Sequence, residues 1–138
     1  MTDLQKSRIL DFIKQQKLAV ISTIGEHGPE SAVVGFGETD ELELYFGTSN
    51  ASRKYKNIQN NPHVAFVIGW DDETHMSVQY EGVAKELAGD EALRIQAQFA
   101  AKNPKTVKFL ARPDQRYFLV QPTWVRLVSR DETFEITF

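Results

Sequence analysis

The residues with the clearest potential for chemistry are three cations, Arg53, Lys54 and Lys56, in a stretch of the chain that has no acids. Residues 44–70 contain no Asp or Glu over 27 positions, although the whole chain has 19 acidic and 16 basic residues and a net charge of −3. The cations follow side chains of the types that cap helices and hydrogen-bond phosphate oxygens, namely Thr48, Ser49, Asn50 and Ser52. This combination predicts a site for an anion of phosphate size.

The neighbouring elements put these cations at the start of a helix. A predicted strand ends at Thr48, and residues 49–61 favour a short helix that Pro62 stops. Unpaired N–H groups and the helix dipole at such a start attract a phosphate. Arg53 offers a planar fork for two oxygens, and Lys54 offers a more mobile point charge. The alternative is a solvated helix face that binds nothing, because small basic clusters are common on protein surfaces.

The rest of the pattern predicts a mainly β chain with peripheral helices. Further helices are expected at 2–16, 90–102 and 104–110, and strands at 18–25, 31–39, 41–48, 63–70, 76–87, 116–121, 123–130 and 133–138. Most connections are too short for crossover helices, so the sheet is expected to be antiparallel. A closed or split barrel would protect the edges of so many strands.

A few local features refine this expectation. Gly28 and Pro29 are expected to form a turn, Pro122 to break a strand, and Gly82 to mark a bulge. The strand at 63–70 is nearly all apolar, and we therefore expect it to be buried on both faces.

Composition excludes several classes of function. The 138 residues fit a single domain, 1–138, and no apolar run is long enough for a transmembrane helix. The chain has no cysteine, which excludes disulfides and thiolate sites and fits a reducing cytoplasm. The acidic balance argues against binding to nucleic acid, and no membrane partner is expected. His27, His63 and His75 lack the spacing of metal ligands, so no metal site is expected.

Within residues 9–100, the order of motifs resembles the FMN-binding split barrel of the pyridoxamine 5′-phosphate oxidase-like proteins. The motifs are ELYFGTS, SRK, IQNNPHVAFVIGW and VQYEGVAKEL, and their most specific positions are Thr48, Ser52, Arg53, Lys54, Asn61, Pro62 and Gly82. The resemblance implies a six-stranded antiparallel Greek-key split β-barrel. It also implies a homodimer with FMN at the subunit interface.

The same resemblance assigns roles to individual residues. Arg53 and Lys54 would bind the FMN phosphate, and Thr48 and Ser52 would support them. One strand would run beside the isoalloxazine ring and offer it backbone hydrogen bonds from Val33, Val34, Gly35 and Phe36. Glycines at positions 35 and 37 agree with such a close approach of the backbone.

Other positions depart from the pattern of the true oxidases. Ser77 replaces their glutamine and is also predicted to contact the cofactor, while Ala32 replaces a third cation that grips the phosphate. The tail at 124–138 has no counterpart of the Arg-Leu-His motif that binds the pyridoxal substrate. Arg53 and Lys54 would therefore hold the phosphate largely alone, and pyridoxamine phosphate oxidation itself is not expected.

The resulting hypothesis is a cytoplasmic, FMN-binding flavoprotein that acts as an oxidoreductase on an unknown small molecule. Two other classes remain open, because a fold does not fix a function. One is a relative that uses a deazaflavin or haem. The other is a non-catalytic, flavin-binding stress-response module.

Overall fold

One antiparallel sheet organises the chain, and in the computed structural model, which describes residues 2–110 and 112–138, it has eight strands. The strands are β1 Leu18–Gly25, β2 Gly28–Gly35, β3 Gly37–Glu38, β4 Leu44–Ser49, β5 His63–Ile68, β6 Ser77–Glu86, β7 Gln115–Val128 and β8 Thr133–Thr137. The helices are α1 Asp3–Lys14, α2 Arg53–Asn60, α3 Gly89–Lys102 and α4 Val107–Leu110, with a 3-10 turn at Pro104–Thr106. None of the described helices is long and apolar enough to cross a bilayer.

The strand order explains why the sheet curls into a half-barrel. It runs β2-β1-β5-β6-β7-β4-β3, and β8 pairs with β7. The two ends of this order, β2 and β3, are adjacent in the chain, with Phe36 alone between them. The predicted antiparallel split barrel with peripheral helices is confirmed. The six strands that the resemblance implies are too few for the part of the chain that the structure describes, which has eight, the number of strand segments predicted from the sequence pattern.

Two strand boundaries were wrongly predicted around the first hairpin. Gly28 and Pro29 do not form the turn but begin β2, and Gly28 pairs with Gly25 across a two-residue turn. A two-residue connection matches the right-handed twist of paired strands. The predicted strand at 31–39 is divided at Phe36, whose N–H donates to the carbonyl oxygen of Lys17 at 3.2 Å.

A bulge keeps β7 continuous where a break was expected at Pro122. The register shifts between Glu81, which faces Trp124, and Gly82, which faces Pro122, so Thr123 is the extra residue. Proline is tolerated in strands at such irregular positions. A Cβ atom at Gly82 would overlap the carbonyl oxygen of Gln121, so the bulge predicted at this glycine is present and needs a glycine.

The inward side chains form one main core and a smaller one. The main cluster lies inside the barrel, where aromatic rings such as Phe46, Phe66 and Phe118 pack together under Ile9 and Ile13 of α1. The smaller cluster lies beneath α3 and contains Tyr45, Leu87, Ile95, Phe99 and Tyr117. This second cluster fixes α3, and with it the segment that follows, against the outside of the barrel.

The outer face of β1, β2 and β5 is apolar but uncovered by any described helix. Val20 pairs in register with Val33 on one side and with Val67 on the other, and we call these three residues the outer valine strip. Val33 is 62% exposed and Val67 is 42% exposed. The prediction that β5 is buried on both faces is therefore wrong for the single chain, because its outward residues face solvent.

Two buried tyrosines provide a test of the core at alkaline pH. Burial, to which the Glu38 carboxylate adds, raises the pKa of Tyr45 from 10.0 to about 12. The stability that this group contributes is therefore complete below pH 10.0 and is lost as the pH rises towards about 12. We expect Tyr45→Phe to lose less unfolding free energy than the wild type over that interval, as measured by denaturant unfolding.

Tyr80→Phe is a second variant for this measurement, and because burial also raises the pKa of Tyr80, its alkaline loss should likewise be smaller than that of the wild type. The Tyr80 hydroxyl donates to the carbonyl oxygens of Leu42 at 2.8 Å and Val120 at 3.2 Å. Its removal should therefore cost about 1 kcal/mol already at neutral pH. An alkaline loss of the same size in Tyr45→Phe and in the wild type would contradict the role given to Tyr45.

Candidate functional site

A cleft of about 400 Å³ opens where the ends of β2 and β4 meet the start of α2 and the segment after α3. Its walls include Val33, Val34 and Gly35 from β2, and Thr48 from β4. This volume falls within the usual range for small-molecule sites. Strand ends, a helix start and a loop segment thus converge on one space that a ligand can occupy.

The β2 wall presents backbone groups as well as side chains. Within the described residues, β2 stands at the end of the strand order and pairs with β1 alone. An edge strand carries N–H and C=O groups that are available to a partner. The segment from Val33 to Gly35 can therefore offer hydrogen bonds to a planar ligand that lies along it.

A pair of hydroxyl groups connects the end of β4 to the start of α2. The Oγ1 atom of Thr48 lies 2.9 Å from the Oγ atom of Ser52. Ser52 is the N-cap of α2, and its hydroxyl accepts a hydrogen bond from the N–H of Tyr55 at 3.2 Å. Ser52 thus fixes the start of α2 and contacts Thr48. Thr48 lines the cleft, whereas Ser52 does not.

The three cations of residues 44–70 do not all reach the cleft. Lys54 lines the cleft, and burial lowers its pKa from the ordinary value. An anion beside its ammonium group would offset that cost of burial. The Nε atom of Arg53 instead lies 3.4 Å from the Glu30 carboxylate, and Lys56 is exposed and outside the cleft.

Sequence reasoning missed a second set of cations, which the structure brings to the same cleft. Lys105, Lys108 and Arg112 line the same cleft as Lys54. They belong to another acid-free stretch, residues 92–113, which contains five basic residues and no Asp or Glu. The lack of acids over these residues is the sequence signal that points to this second set of cations.

Two cations of this second set lie beside an aromatic ring. The Arg112 guanidinium carbon lies 4.7 Å from the centroid of the Phe109 ring, and the Lys108 ammonium nitrogen lies 5.0 Å from it. Contacts of this kind attract a cation to the ring face. Among the described lining residues of the cleft there is no Asp or Glu, so its electrostatic potential favours an anion.

The remaining predicted site residues lie away from the cleft. The Phe36 ring is fully buried in the core, with the Lys102 ammonium 4.0 Å from its centroid. Ser77 begins β6 opposite Val128 and does not line the cleft. The structure thus brings together Val33, Val34, Gly35, Thr48 and Lys54, and it leaves Ser52, Arg53, Phe36 and Ser77 outside the lining. Their roles in binding FMN stay predictions.

The three histidines do not add ligands to this site. His27, His63 and His75 are all exposed, and none of them lines the cleft. Over residues 2–110 and 112–138, no group of three or more His, Cys, Asp or Glu is placed to hold a metal ion.

The sequence of the chain matches the model of a known protein family. Residues 6–129 match the model of the pyridoxamine 5′-phosphate oxidase family. The chain belongs to this family. The match covers the barrel from α1 to the end of β7, and so it includes every wall of the cleft.

Individual relatives of the family resemble the chain over most of its length. General stress protein 26 of Bacillus subtilis (strain 168) is 24% identical over 127 residues, covering 92% of this chain and 90% of that protein. The crystal structure of General Stress Protein 26 from Bacillus anthracis str. Sterne is 26% identical, with a TM-score of 0.77, and the match covers 96% of this chain and 98% of that one.

The chain also has the same fold as a haem storage protein. HutZ from Vibrio cholerae matches with a TM-score of 0.73 and 19% identity, over 95% of this chain and 92% of that chain. Identity this low shows the fold alone. The ligand must therefore be argued from the residues of the cleft.

The cap of α2 can be tested without any ligand. Ser52→Ala removes the acceptor for the N–H of Tyr55 and the partner of the Thr48 hydroxyl, so we expect unfolding to become easier by about 1 kcal/mol. Urea unfolding followed by circular dichroism measures this change. Ser52→Thr keeps a capping hydroxyl and should lose less. Equal losses in the two variants would show that the cap is not the cause.

Proposed function

We propose that this member of the pyridoxamine 5′-phosphate oxidase family is a cytoplasmic, homodimeric flavoprotein that binds FMN in the cleft and acts as an oxidoreductase on a small molecule. The observation that supports this proposal most strongly is the cleft itself, which combines an edge strand with cations and has no carboxylate among its described lining residues. A planar ring system that carries a phosphate has both kinds of group that these walls can bind.

Different walls of the cleft suit the two ends of FMN. Lys54, at the start of α2, would pair with the phosphate, and helix N–H groups would add to its attraction. The backbone of Val33, Val34 and Gly35, which also line the cleft, would orient the ring. Bound FMN would supply the redox chemistry, while the protein binds it, orients it and shapes the space for the substrate.

The composition of the cleft favours FMN over the haem alternative. Haem iron in proteins is held by His, Cys, Met or Tyr side chains. The described lining residues include no His, Cys or Met, and the Tyr117 side chain is largely buried. A deazaflavin would suit the same walls, because it too joins a planar ring to a phosphate, and the absorption spectrum of the purified protein separates it from FMN.

The outer valine strip supports the homodimer. Val33 belongs both to the strip and to the cleft, so the exposed apolar surface runs up to the mouth of the site. A second copy of the chain that covered the strip would bury apolar surface and would also close the open side of the cleft. Dimerisation and cofactor binding would therefore be linked.

Two lysines of α2 give a matched test of the FMN site. Lys54 lines the cleft, whereas Lys56 lies two residues further on and is exposed. We expect Lys54→Gln to weaken FMN binding roughly tenfold, which corresponds to about 1.4 kcal/mol, because it removes a charge-assisted contact to phosphate. Lys56→Gln should change the affinity by less than about twofold.

Quenching of flavin fluorescence on binding measures both affinities. Equal effects of the two substitutions, or a wild-type protein that takes up no FMN, would contradict the proposed site. Anaerobic reduction of the loaded protein by a nicotinamide donor then tests whether it is an oxidoreductase. A flavin that no such donor reduces would favour the non-catalytic, flavin-binding module.

The dimer is tested by a charge placed in the outer valine strip. Val67→Arg should shift the protein towards monomer in sedimentation velocity and weaken FMN binding, because a cation would be buried in an apolar interface. Leu4→Arg is the matched control, since Leu4 is a 74% exposed apolar residue on α1, away from the strip. A wild-type protein that is monomeric when loaded with FMN would contradict the dimer.

A further inference from the structure

One carboxylate lies against the basic first turn of α2 and is held there by several contacts. The Oε1 atom of Glu30, on β2, lies 3.4 Å from the Nε atom of Arg53. The same oxygen accepts a hydrogen bond from the side-chain amide of Asn57 at 3.0 Å, and that amide also donates to the buried hydroxyl of Thr23 at 3.0 Å. Asn57 therefore ties the carboxylate to both α2 and β1.

The neighbouring turn makes room for this carboxylate. A Cβ atom at Gly25 would overlap the carboxylate of Glu30, so the glycine leaves room for the Glu30 side chain in its present position over β1. The Glu30 side chain is only 24% exposed, whereas that of Arg53 is 78% exposed. The acid is thus the fixed member of the ion pair, and the guanidinium is the member that is free to move.

We propose that Glu30 sets the affinity of the cleft for its anionic ligand by holding Arg53 away from it. Arg53 is the first residue of α2 and is next in sequence to Lys54, which lines the cleft. A phosphate at the helix start and the Glu30 carboxylate compete for the same guanidinium. This inference rests on the proposed function, because it takes the FMN phosphate as the competing anion.

The competition weakens binding without abolishing it. An exposed ion pair of this kind contributes little stability, so freeing Arg53 should strengthen FMN binding by roughly two- to fivefold. A flavoprotein with this arrangement releases its cofactor more easily than one whose arginine is free. Glu30 would then act through Arg53 as a positioning residue, without contacting the ligand.

A double-mutant cycle measures this coupling directly. FMN dissociation constants are determined for the wild type, Glu30→Gln, Arg53→Ala and the double variant. Gln at position 30 keeps an oxygen that accepts from Asn57, so α2 should stay docked, and unchanged melting temperatures check this. We expect Glu30→Gln to tighten binding when Arg53 is present and to lose most of that gain in the Arg53→Ala background.

Three results would overturn the proposal. Weaker FMN binding in Glu30→Gln would mean that the carboxylate only docks α2. An equal gain in both backgrounds would mean that its charge acts on the ligand without Arg53. An unchanged FMN dissociation constant in both backgrounds would mean that Glu30 does not compete with the ligand for Arg53.

A second probe separates this proposal from the proposed function. A wild-type protein that takes up no FMN would refute the flavin site, and the same four proteins are then titrated with inorganic phosphate while the melting temperature is followed. A larger phosphate-induced rise in Glu30→Gln, lost on adding Arg53→Ala, would still support the role of Glu30. The same rise in all four proteins, or none in any, would overturn it.

Discussion

The cleft depends on a one-residue break in the sheet at Phe36. There the chain stops pairing with β1 and, from Gly37 onward, pairs with β4. The Phe36 ring is fully buried, and its N–H is bonded to the carbonyl of Lys17, so the break is fixed by both side chain and backbone. Because β2 and β3 stand at opposite ends of the strand order, this break curls the sheet and brings the end of β2 towards that of β4.

The cleft is positively charged because the two stretches of chain that form much of it contain no acids, although the chain as a whole is acidic. Residues 44–70 and 92–113 contain no Asp or Glu, and although they are separate in sequence they meet at the cleft. A positive region on a negative molecule concentrates the field in one place and attracts anions to it. Within residues 44–70, however, one cation is paired with an acid from elsewhere in the chain, since Arg53 forms an ion pair with Glu30 of β2.

The sequence predicts most of the local elements, because their signals are local. The helix that follows Thr2, the short helix that ends before Pro62 and the bulge at Gly82 each depend on neighbouring residues, and each is present, although α2 begins at Arg53 and not at the predicted Ser49. The direction of Arg53 could not be predicted in this way. It depends on Glu30, which is 23 positions earlier and reaches α2 only through the register of the first hairpin.

Two further differences between prediction and structure have the same origin. The wall that holds Lys105 and Lys108 could not be placed, because the docking of α3 through Phe99 and Tyr45 is a long-range contact. The exposure of Val67 was missed, because an apolar strand does not show whether its second face meets a helix or solvent.

The bulge at Thr123 has a consequence for how the barrel is divided. Along one side of β7, residues 115–120 pair with β4 and residues 124–128 pair with β8, so the strand changes partner where the extra residue lies. The half of β7 beside β4 supports the cleft, and the other half carries the terminal hairpin. The two halves of β7 therefore have different neighbours along one edge, while β6 pairs with both halves and their inward side chains share the main core.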